Sequence, residues 1–472
     1  MQKLTKIVAT IGPATETEEV IEQLITAGMN VARFNTKHGT PEWHLERIKR
    51  VKAVAARMNT AVGILLDLQG PEIRINLPDQ KNFDVVDGDM VIFGDEKKSP
   101  ADYKTDKLVL IPANVIETLH EGNFILLDDG VCEFEVAEKH PDHLTVKALG
   151  SFAVKHRKTM NIPGITVDMP SLIPADLVQL DNMTDADIDF VGLSFARDKK
   201  DIQILREELV KRNLHSDIIA KIETQAALDN LDEIIEVSDA VMVARGDLAV
   251  EVPFEQLAYW QKLIIAKCRF AGKPVITATQ MLKSMVDSPR PTRAEVSDIA
   301  NAVYDCTSAV MLSEETTIGK FPVKAVQTQA KIANFNEKYV EANLEDWIDN
   351  SNTACITHAA MYLLKHSQQT IDDIVVLTET GHTANLLARF MPKTVIKAVT
   401  RESTTFARLS LVYGVKPYLI DWSKIQQENV SELVTRFKEA GIIEAGKTVL
   451  FIYGAVFKKS GFTNSMSLFK IE

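Results

Sequence analysis

The sequence predicts a (β/α)8 barrel of the TIM type, interrupted after its third strand by a small β-barrel domain and followed by a doubly wound α/β domain. Three observations carry this. Apolar strand-like runs alternate with amphipathic helical runs over two long stretches, the alternation stops between residues 75 and 164, and it starts afresh near residue 344. Strands that read as unbroken apolar runs belong to parallel sheets buried on both faces.

The first stretch places strands at 6–11, 31–35 and 62–67, with helices at 16–27 and 42–58 between them. Beyond Ile75 the helical period gives way to turn signals at Asp87-Gly88-Asp89, Asp128-Asp129-Gly130 and Pro141-Asp142, separating β-rich runs at 124–127, 131–136 and 144–148. This segment of about ninety residues is long enough for an independent module. After Pro163-Gly164 the alternation resumes: strand 190–193 and a helix from Lys199, strand 217–222 and helix 225–237, strand 240–244 and helix 254–271. Strand 274–278, helix 294–304, strand 309–312 and a helix from Pro322 complete about eight strand–helix units, the number that closes a barrel. The barrel is therefore assigned to 1–74 and 165–343, the insertion to 75–164 and the last domain to 344–472. That domain opens with helix 353–365, strand 373–377, helix 383–390 and strand 394–399.

With 472 residues, 46% of them hydrophobic, the chain can bury two or three cores, and its net charge of −12 argues against nucleic acid as a bulk partner. Four cysteines, Cys132, Cys268, Cys306 and Cys355, lie far apart with no C-x-x-C pair, so neither a zinc site nor a disulfide framework is indicated. No signal-type segment precedes the first strand and no stretch is long and apolar enough to span a bilayer, so a cytoplasmic protein with no membrane partner is expected.

Barrels of this type carry their chemistry at the C-terminal strand ends. Ile218-Ile219-Ala220-Lys221-Ile222-Glu223 is an apolar run ending in opposite charges, and the period of two puts Lys221 and Glu223 on one side. The next unit, Ala240-Val241-Met242-Val243-Ala244, ends in Asp247 behind Gly246. Two carboxylates and a lysine at adjoining strand ends suit a divalent metal and an anionic substrate. Either motif alone reads equally well as a rim ion pair. The other strand ends add weight: Arg33, Asn35 and Lys37 after the second; Asp67, Glu72 and Arg74 after the third; Ser194 and Arg197 after the fourth. Thr279 and Gln280 follow the seventh, and Ser313, Glu314 and Glu315 the eighth. Basic groups facing several carboxylates describe a site for a phosphorylated, carboxylate-bearing substrate with a divalent ion. In the last domain, Thr378-Glu379-Thr380-Gly381-His382-Thr383 precedes a helix, where backbone amides hold an anion or simply cap the helix. A second loop there contributes Lys458 and Lys459.

Several of these strings resemble the pyruvate kinase family. Thr5-Lys6-Ile7-Val8-Ala9-Thr10-Ile11-Gly12-Pro13, Gly70-Pro71-Glu72-Ile73-Arg74, Lys221-Ile222-Glu223 and Ala244-Arg245-Gly246-Asp247-Leu248 are similar to its motifs in order. So are Ala278-Thr279-Gln280-Met281-Leu282, Pro289-Arg290-Pro291-Thr292-Arg293-Ala294-Glu295 and Ser460-Gly461-Phe462-Thr463-Asn464. The resemblance implies phosphoryl transfer from phosphoenolpyruvate to ADP, giving pyruvate and ATP. It implies Mg²⁺ or Mn²⁺ on Glu223 and Asp247, and Lys221 stabilising charge on the migrating group. It also implies Arg33 on the phosphate, the amides of Gly246 and Asp247 on the substrate carboxylate, and Thr279 on the path that protonates the enolate. Arg74, Lys158 and His38 resemble nucleotide contacts, and the insertion resembles a lid that excludes water. A homotetramer and an effector loop of Thr378, Thr380, Gly381, Thr383, Lys458 and Lys459 follow from the same resemblance.

The sequence also departs from the family. Asn35-Thr36-Lys37-His38-Gly39 stands where Asn-x-Ser-His-Gly is usual, and Asp67-Leu68-Gln69 where potassium-requiring members have Asp-Thr-Lys. Leu-Gln is similar to the potassium-independent members, which carry Lys where this chain has Glu72. The monovalent-cation site then falls on Asn35, Asp67, Leu68 and Lys37, with the Lys37 ammonium standing where K⁺ would sit beside Asn35, Asp67 and Glu72, so that K⁺ is not required. The competing readings have Lys37 in solvent with K⁺ still needed, or a damaged site. Thr224-Gln225-Ala226-Ala227 and Ser313-Glu314-Glu315-Thr316 also depart from the usual strings, and Glu379 argues against fructose 1,6-bisphosphate, leaving another phosphorylated effector or none. Two rivals stand beside the kinase: a silent paralogue kept for regulation, and a Mg²⁺-dependent keto-acid aldolase or lyase, which needs no nucleotide lid.

Overall fold

The computed structural model describes residues 3–340, 351–420, 430–454 and 463–472. Eight parallel strands close a barrel in chain order: Lys6–Thr10, Val31–Asn35, Gly63–Asp67, Phe190–Leu193, Asp217–Ile222, Ala240–Ala244, Val275–Ala278 and Ala309–Leu312. The eighth pairs with the first, Lys6 lying opposite Ala309. Strands two, four, five, six and eight have the bounds read from the sequence. Two helices do not. The segment 225–237 is two helices, Gln225–Asp229 and Leu231–Val237, because Asn230 between them turns its amide to the Arg197 carbonyl at 3.0 Å. The segment 254–271 begins as a 3-10 turn, Phe254–Gln256, before the helix Leu257–Phe270.

Both faces of each strand are apolar because both are buried. Val8, Val31, Leu65, Ile219, Met242, Ile276 and Met311 fill the barrel interior. Their neighbours Ile7, Ile64, Leu66, Ile218, Ala220, Val241 and Val243 pack outward under the helices. Lys221 continues the inward series that begins at Ile219, so the strand that supplies core at its base supplies an ammonium at its top.

The floor is shut by the last domain. Leu411, from the turn Leu409–Leu411, joins the interior cluster. Beside it the Gly63 amide donates to Ser410 Oγ at 3.0 Å, and a Cβ at Gly63 would lie 2.7 Å from that oxygen, so only glycine admits the contact. That domain is a five-stranded sheet in the order Val415–Leu419, Ile396–Thr400, Asp373–Leu377, Thr448–Tyr453, Ser465–Lys470, parallel except for the last pair. The boundary placed at 343/344 lies outside the described residues.

The insertion is β-rich as expected, with one short helix, Ala113–Thr118. Its strands form a six-membered sheet and a separate pair, Phe83–Val85 with Phe152–Val154, around a core that includes Val91, Phe93, Ile125, Phe134 and Val146. The two segments joining it to the barrel run antiparallel: the Ile75 amide donates to Lys158 O at 3.0 Å and the Met160 amide to Ile73 O at 2.9 Å. All four cysteines are free thiols. Among the described residues no helix is long and apolar enough to cross a membrane.

Glu337, after the last barrel helix Pro322–Asn336, accepts the amides of Leu4 and Thr5 at 3.0 and 2.6 Å and so anchors the chain where it enters the first strand. The residue is 4% exposed. Replacing it with alanine strands two buried N–H groups, and a loss of about 2–4 kcal/mol is expected, read as a lower thermal midpoint. An unchanged midpoint would show the anchor to be dispensable.

Candidate active site

The charged groups at the barrel mouth start from Asp67, which ends the third strand and is fully buried. It lies opposite Gly192, where a Cβ would meet Asp67 Oδ1 at 2.8 Å; the glycine leaves the carboxylate its space. Arg33 Nε lies 2.6 Å from Asp67 Oδ2, and Arg33 Nη1 donates to Thr10 Oγ1 at 2.9 Å. Lys221 Nζ is 3.4 Å from Asp67 Oδ1 and 2.9 Å from Glu223 Oε1, and donates to Ser194 Oγ at 2.6 Å. Lys221 and Glu223 thus do share a face, as their spacing predicts. Burial alone would raise the Asp67 carboxyl, yet Lys221 and Arg33 hold it below the ordinary range. Burial would likewise lower Lys221, but Asp67, Glu223 and Asp247 together raise it, so the ammonium stays charged.

Glu223 differs. Burial raises its carboxyl, and although Lys221 opposes this, Asp247 adds to the rise. Its Oε2 accepts the Phe195 amide at 2.7 Å, which fixes its direction. Asp247 sits in the first turn of the helix Arg245–Glu251, which follows the sixth strand directly. Two carboxylates that repel each other in a largely buried setting fit a divalent cation, whose charge would relieve both. An ion of the Mg²⁺ kind needs only one or two carboxylates, with substrate oxygens and water completing its shell.

Thr279, past the seventh strand, has φ +69° and its neighbour Gln280 φ +53°, a left-handed turn that non-glycine residues rarely adopt. Its hydroxyl accepts the Gly246 amide at 2.8 Å and donates to Ala278 O at 2.7 Å. That amide is therefore already engaged, and a substrate carboxylate would exchange with Thr279 for it. The strained turn is held by Arg245, which donates to Ala278 O at 3.1 Å and Thr279 O at 2.8 Å while both its terminal nitrogens lie 2.7 Å from the Asp298 carboxylate. Arg245 belongs to the string that carries Gly246-Asp247, but nothing in the sequence alone assigns it this role. Nor does the sequence single out Glu251, whose carboxyl burial pushes up to about 7.

Lys37 lies 3.1 Å from Glu72 Oε1 and 5.7 Å from the centre of the Phe195 ring. Of its expected partners, Glu72 meets the ammonium. Asn35 instead accepts the Lys37 main-chain amide at 3.2 Å, and Asp67 is taken by Arg33 and Lys221. Leu68 is buried, with its carbonyl accepting Ser194 Oγ at 2.7 Å. Arg74 pairs with Glu72 at 2.7 Å, and Lys158 with Asp128 at 2.6 Å, so both stand on the ribbon joining barrel and insertion. His38 is exposed. A cleft opens between barrel and insertion, lined by Glu72, Asp129, Asn161, Phe195, Asp247 and Glu251 among others.

Some groups do not join the site. Arg197 turns to Asp201 at 2.9 Å. Glu314 is tied to Lys283, and Glu315 is buried, accepting the amides of Leu282 at 3.0 Å and Ser313 at 2.8 Å, so it ties loops together and faces no substrate. In the last domain Thr378 Oγ1 accepts the Gly381 amide at 2.9 Å, Thr383 bonds Thr463 at 2.7 Å, Thr380 is exposed, and Glu379 pairs with Arg401 at 2.6 Å. Lys458 and Lys459 lie outside the described residues.

Along its whole length the chain is similar to known proteins. The family model described as pyruvate kinase, barrel domain, matches residues 2–326, and that described as pyruvate kinase, alpha/beta domain, matches 354–469. The chain is 38% identical over 483 residues to a pyruvate kinase of Bacillus licheniformis, covering 99% of this chain and 80% of that protein. It is 38% identical over 485 residues to one of Staphylococcus epidermidis, covering 98% and 80%. A crystal structure of a pyruvate kinase from Cryptosporidium parvum superposes with a TM-score of 0.91 at 32% identity, covering 100% of this chain and 97% of that one. These likenesses do not favour the silent-paralogue or lyase readings. With both domain models matched in order and relatives alike along nearly the whole of this chain, the chain belongs to the pyruvate kinase family.

Proposed function

We propose that this enzyme transfers the phosphoryl group of phosphoenolpyruvate to ADP at the mouth of the barrel, with Lys221, Glu223 and Asp247 converging on the phosphate in flight. The observation that carries this is the Lys221 ammonium, buried among acids yet 2.9 Å from Glu223. Glu223 and Asp247 would hold Mg²⁺ or Mn²⁺, which supplies charge neutralisation across the phosphate and enolate oxygens. Arg33, fixed by Asp67 and Thr10, presents its guanidinium to the substrate phosphate. The Gly246 and Asp247 amides receive the substrate carboxylate.

A terminal oxygen of ADP attacks phosphorus, the bond from phosphorus to the enol oxygen breaks, and the electron pair stays on the enolate. Lys221 stabilises that negative charge, the electrostatic contribution on which phosphoryl transfer depends most. Thr279, held in its turn by Arg245, lies on the route by which a proton reaches the enolate carbon to give pyruvate. Arg74, Lys158 and His38 meet the nucleotide as the inserted domain closes and excludes water. A cytoplasmic homotetramer in glycolysis, with a phosphorylated effector at the Thr378–Thr383 loop or none, is in keeping with the family.

Lys37 deepens the reading. Its ammonium is held by Glu72 and lies near enough to favour the ionised form of Glu223. A tethered cation thus takes the part of a free monovalent one.

Two outcomes test these statements. Lys221→Met lowers kcat for pyruvate formation by at least about 10²–10³-fold while the folded protein still binds Mn²⁺; near-normal turnover would remove Lys221 from the chemistry. Wild-type enzyme in K⁺-free buffer responds less than about twofold to added KCl, whereas Lys37→Ser loses activity that KCl restores. Strong KCl activation of the wild type contradicts the tethered-cation reading.

A further inference from the structure

The helix that carries Asp247 ends in a second carboxylate, Glu251, one turn further along the same face. Phosphoryl transfer as described makes no use of it. Its carboxyl is nevertheless the meeting point of three elements. Glu251 Oε1 accepts from Asn161 Nδ2 at 3.4 Å, and Asn161 ends the insertion's edge strand Met160–Asn161, opposite Leu126. Gln225, two residues beyond Glu223, borders the same cleft, and its main-chain amide favours the ionised form of this carboxyl. Beside them the tip of an insertion turn rests on this helix: a Cβ at Gly130 would lie 3.2 Å from Val250 Cγ1. The inserted domain therefore touches the barrel where the Asp247 helix ends, and the touch is shared with the loop that carries Glu223.

The Asn161–Glu251 contact, at 3.4 Å, is longer than an ordinary N–H···O hydrogen bond, so closure of the insertion would shorten it. Asp129, Asn161, Gln225, Asp247 and Glu251 all border the cleft between them.

We propose that Glu251 is a positioning residue that couples closure of the inserted domain to the placement of Glu223 and Asp247. Closure draws Asn161 onto Glu251, which steadies the Gln225 amide and the Asp247 helix, so both carboxylates are set at their working separation only when the nucleotide is covered. Closure and the metal-facing arrangement then favour each other reciprocally. This rests on the reading of the insertion as a lid over the nucleotide.

The test combines kinetics with hydrogen exchange of the insertion's amides upon adding Mn²⁺ and phosphoenolpyruvate. Glu251→Ala raises the KM for ADP by about tenfold with a smaller fall in kcat, and Asn161→Ala acts in the same direction by about threefold. The double variant is no worse than Glu251→Ala, because both act through one link. Glu251→Gln, which keeps an acceptor and the shape, restores most of the loss. Ligand-induced protection of the insertion appears in the wild type and in Glu251→Gln and is lost in the other variants. KM values within twofold of wild type, or single effects that multiply in the double variant, overturn the coupling. If Glu251→Ala does not fold, Asn161→Ala and Glu251→Gln still decide it by the same readings. Wild-type protein that closes on these ligands yet forms no pyruvate once ADP is added refutes the proposed reaction alone, whereas wild-type protein that never closes refutes the coupling.

Discussion

The structure depends on a small group of opposite charges taken out of water: Asp67 between Arg33 and Lys221, with Glu223 beyond. Such a group is costly to bury, and its mutual attraction repays that cost only when the geometry is tight. The geometry is tight because three different barrel strands deliver the side chains to one level, and because Gly192 on a fourth leaves room for Asp67. Removing any one member would leave the others as uncompensated buried charges. The site is therefore a single electrostatic unit.

That unit is not balanced at its rim. Around Asp67 the positive charges dominate and keep the carboxylate ionised, whereas around Glu223 burial and Asp247 work the other way. The imbalance points outward, toward the cleft under the inserted domain, where a divalent ion and an anionic substrate would complete it. Lys37, Glu72 and Arg74 continue the alternation of signs along the same rim toward the ribbon that joins the two domains. Order in the barrel and access under the insertion are thus parts of one arrangement of charge.

Much of the barrel could be read in advance because its strands are apolar on both faces, and a strand buried twice over leaves little ambiguity about its ends. Period-two spacing was likewise enough to put Lys221 beside Glu223. What escaped reading depends on partners distant in sequence. Arg245 holds the Thr279 turn only by virtue of Asp298 on another helix. Glu315 looks like a further acid of the site but is consumed by two loop amides, and the break at Asn230 follows from a carbonyl on the preceding unit. The partner of Lys37 was only partly foreseen: Glu72 holds its ammonium, while Asn35 takes its amide.

In the proposed reaction two carboxylates from adjoining strands hold one divalent ion on the migrating phosphate, and a single ammonium beside them meets the same group directly. Pulsed electron–nuclear double resonance on the Mn²⁺-loaded protein with phosphoenolpyruvate tests it most directly. A phosphorus hyperfine coupling of directly coordinated size is expected, and it disappears in Asp247→Asn. A bound Mn²⁺ with no phosphorus coupling, or a coupling that survives Asp247→Asn unchanged, would contradict it.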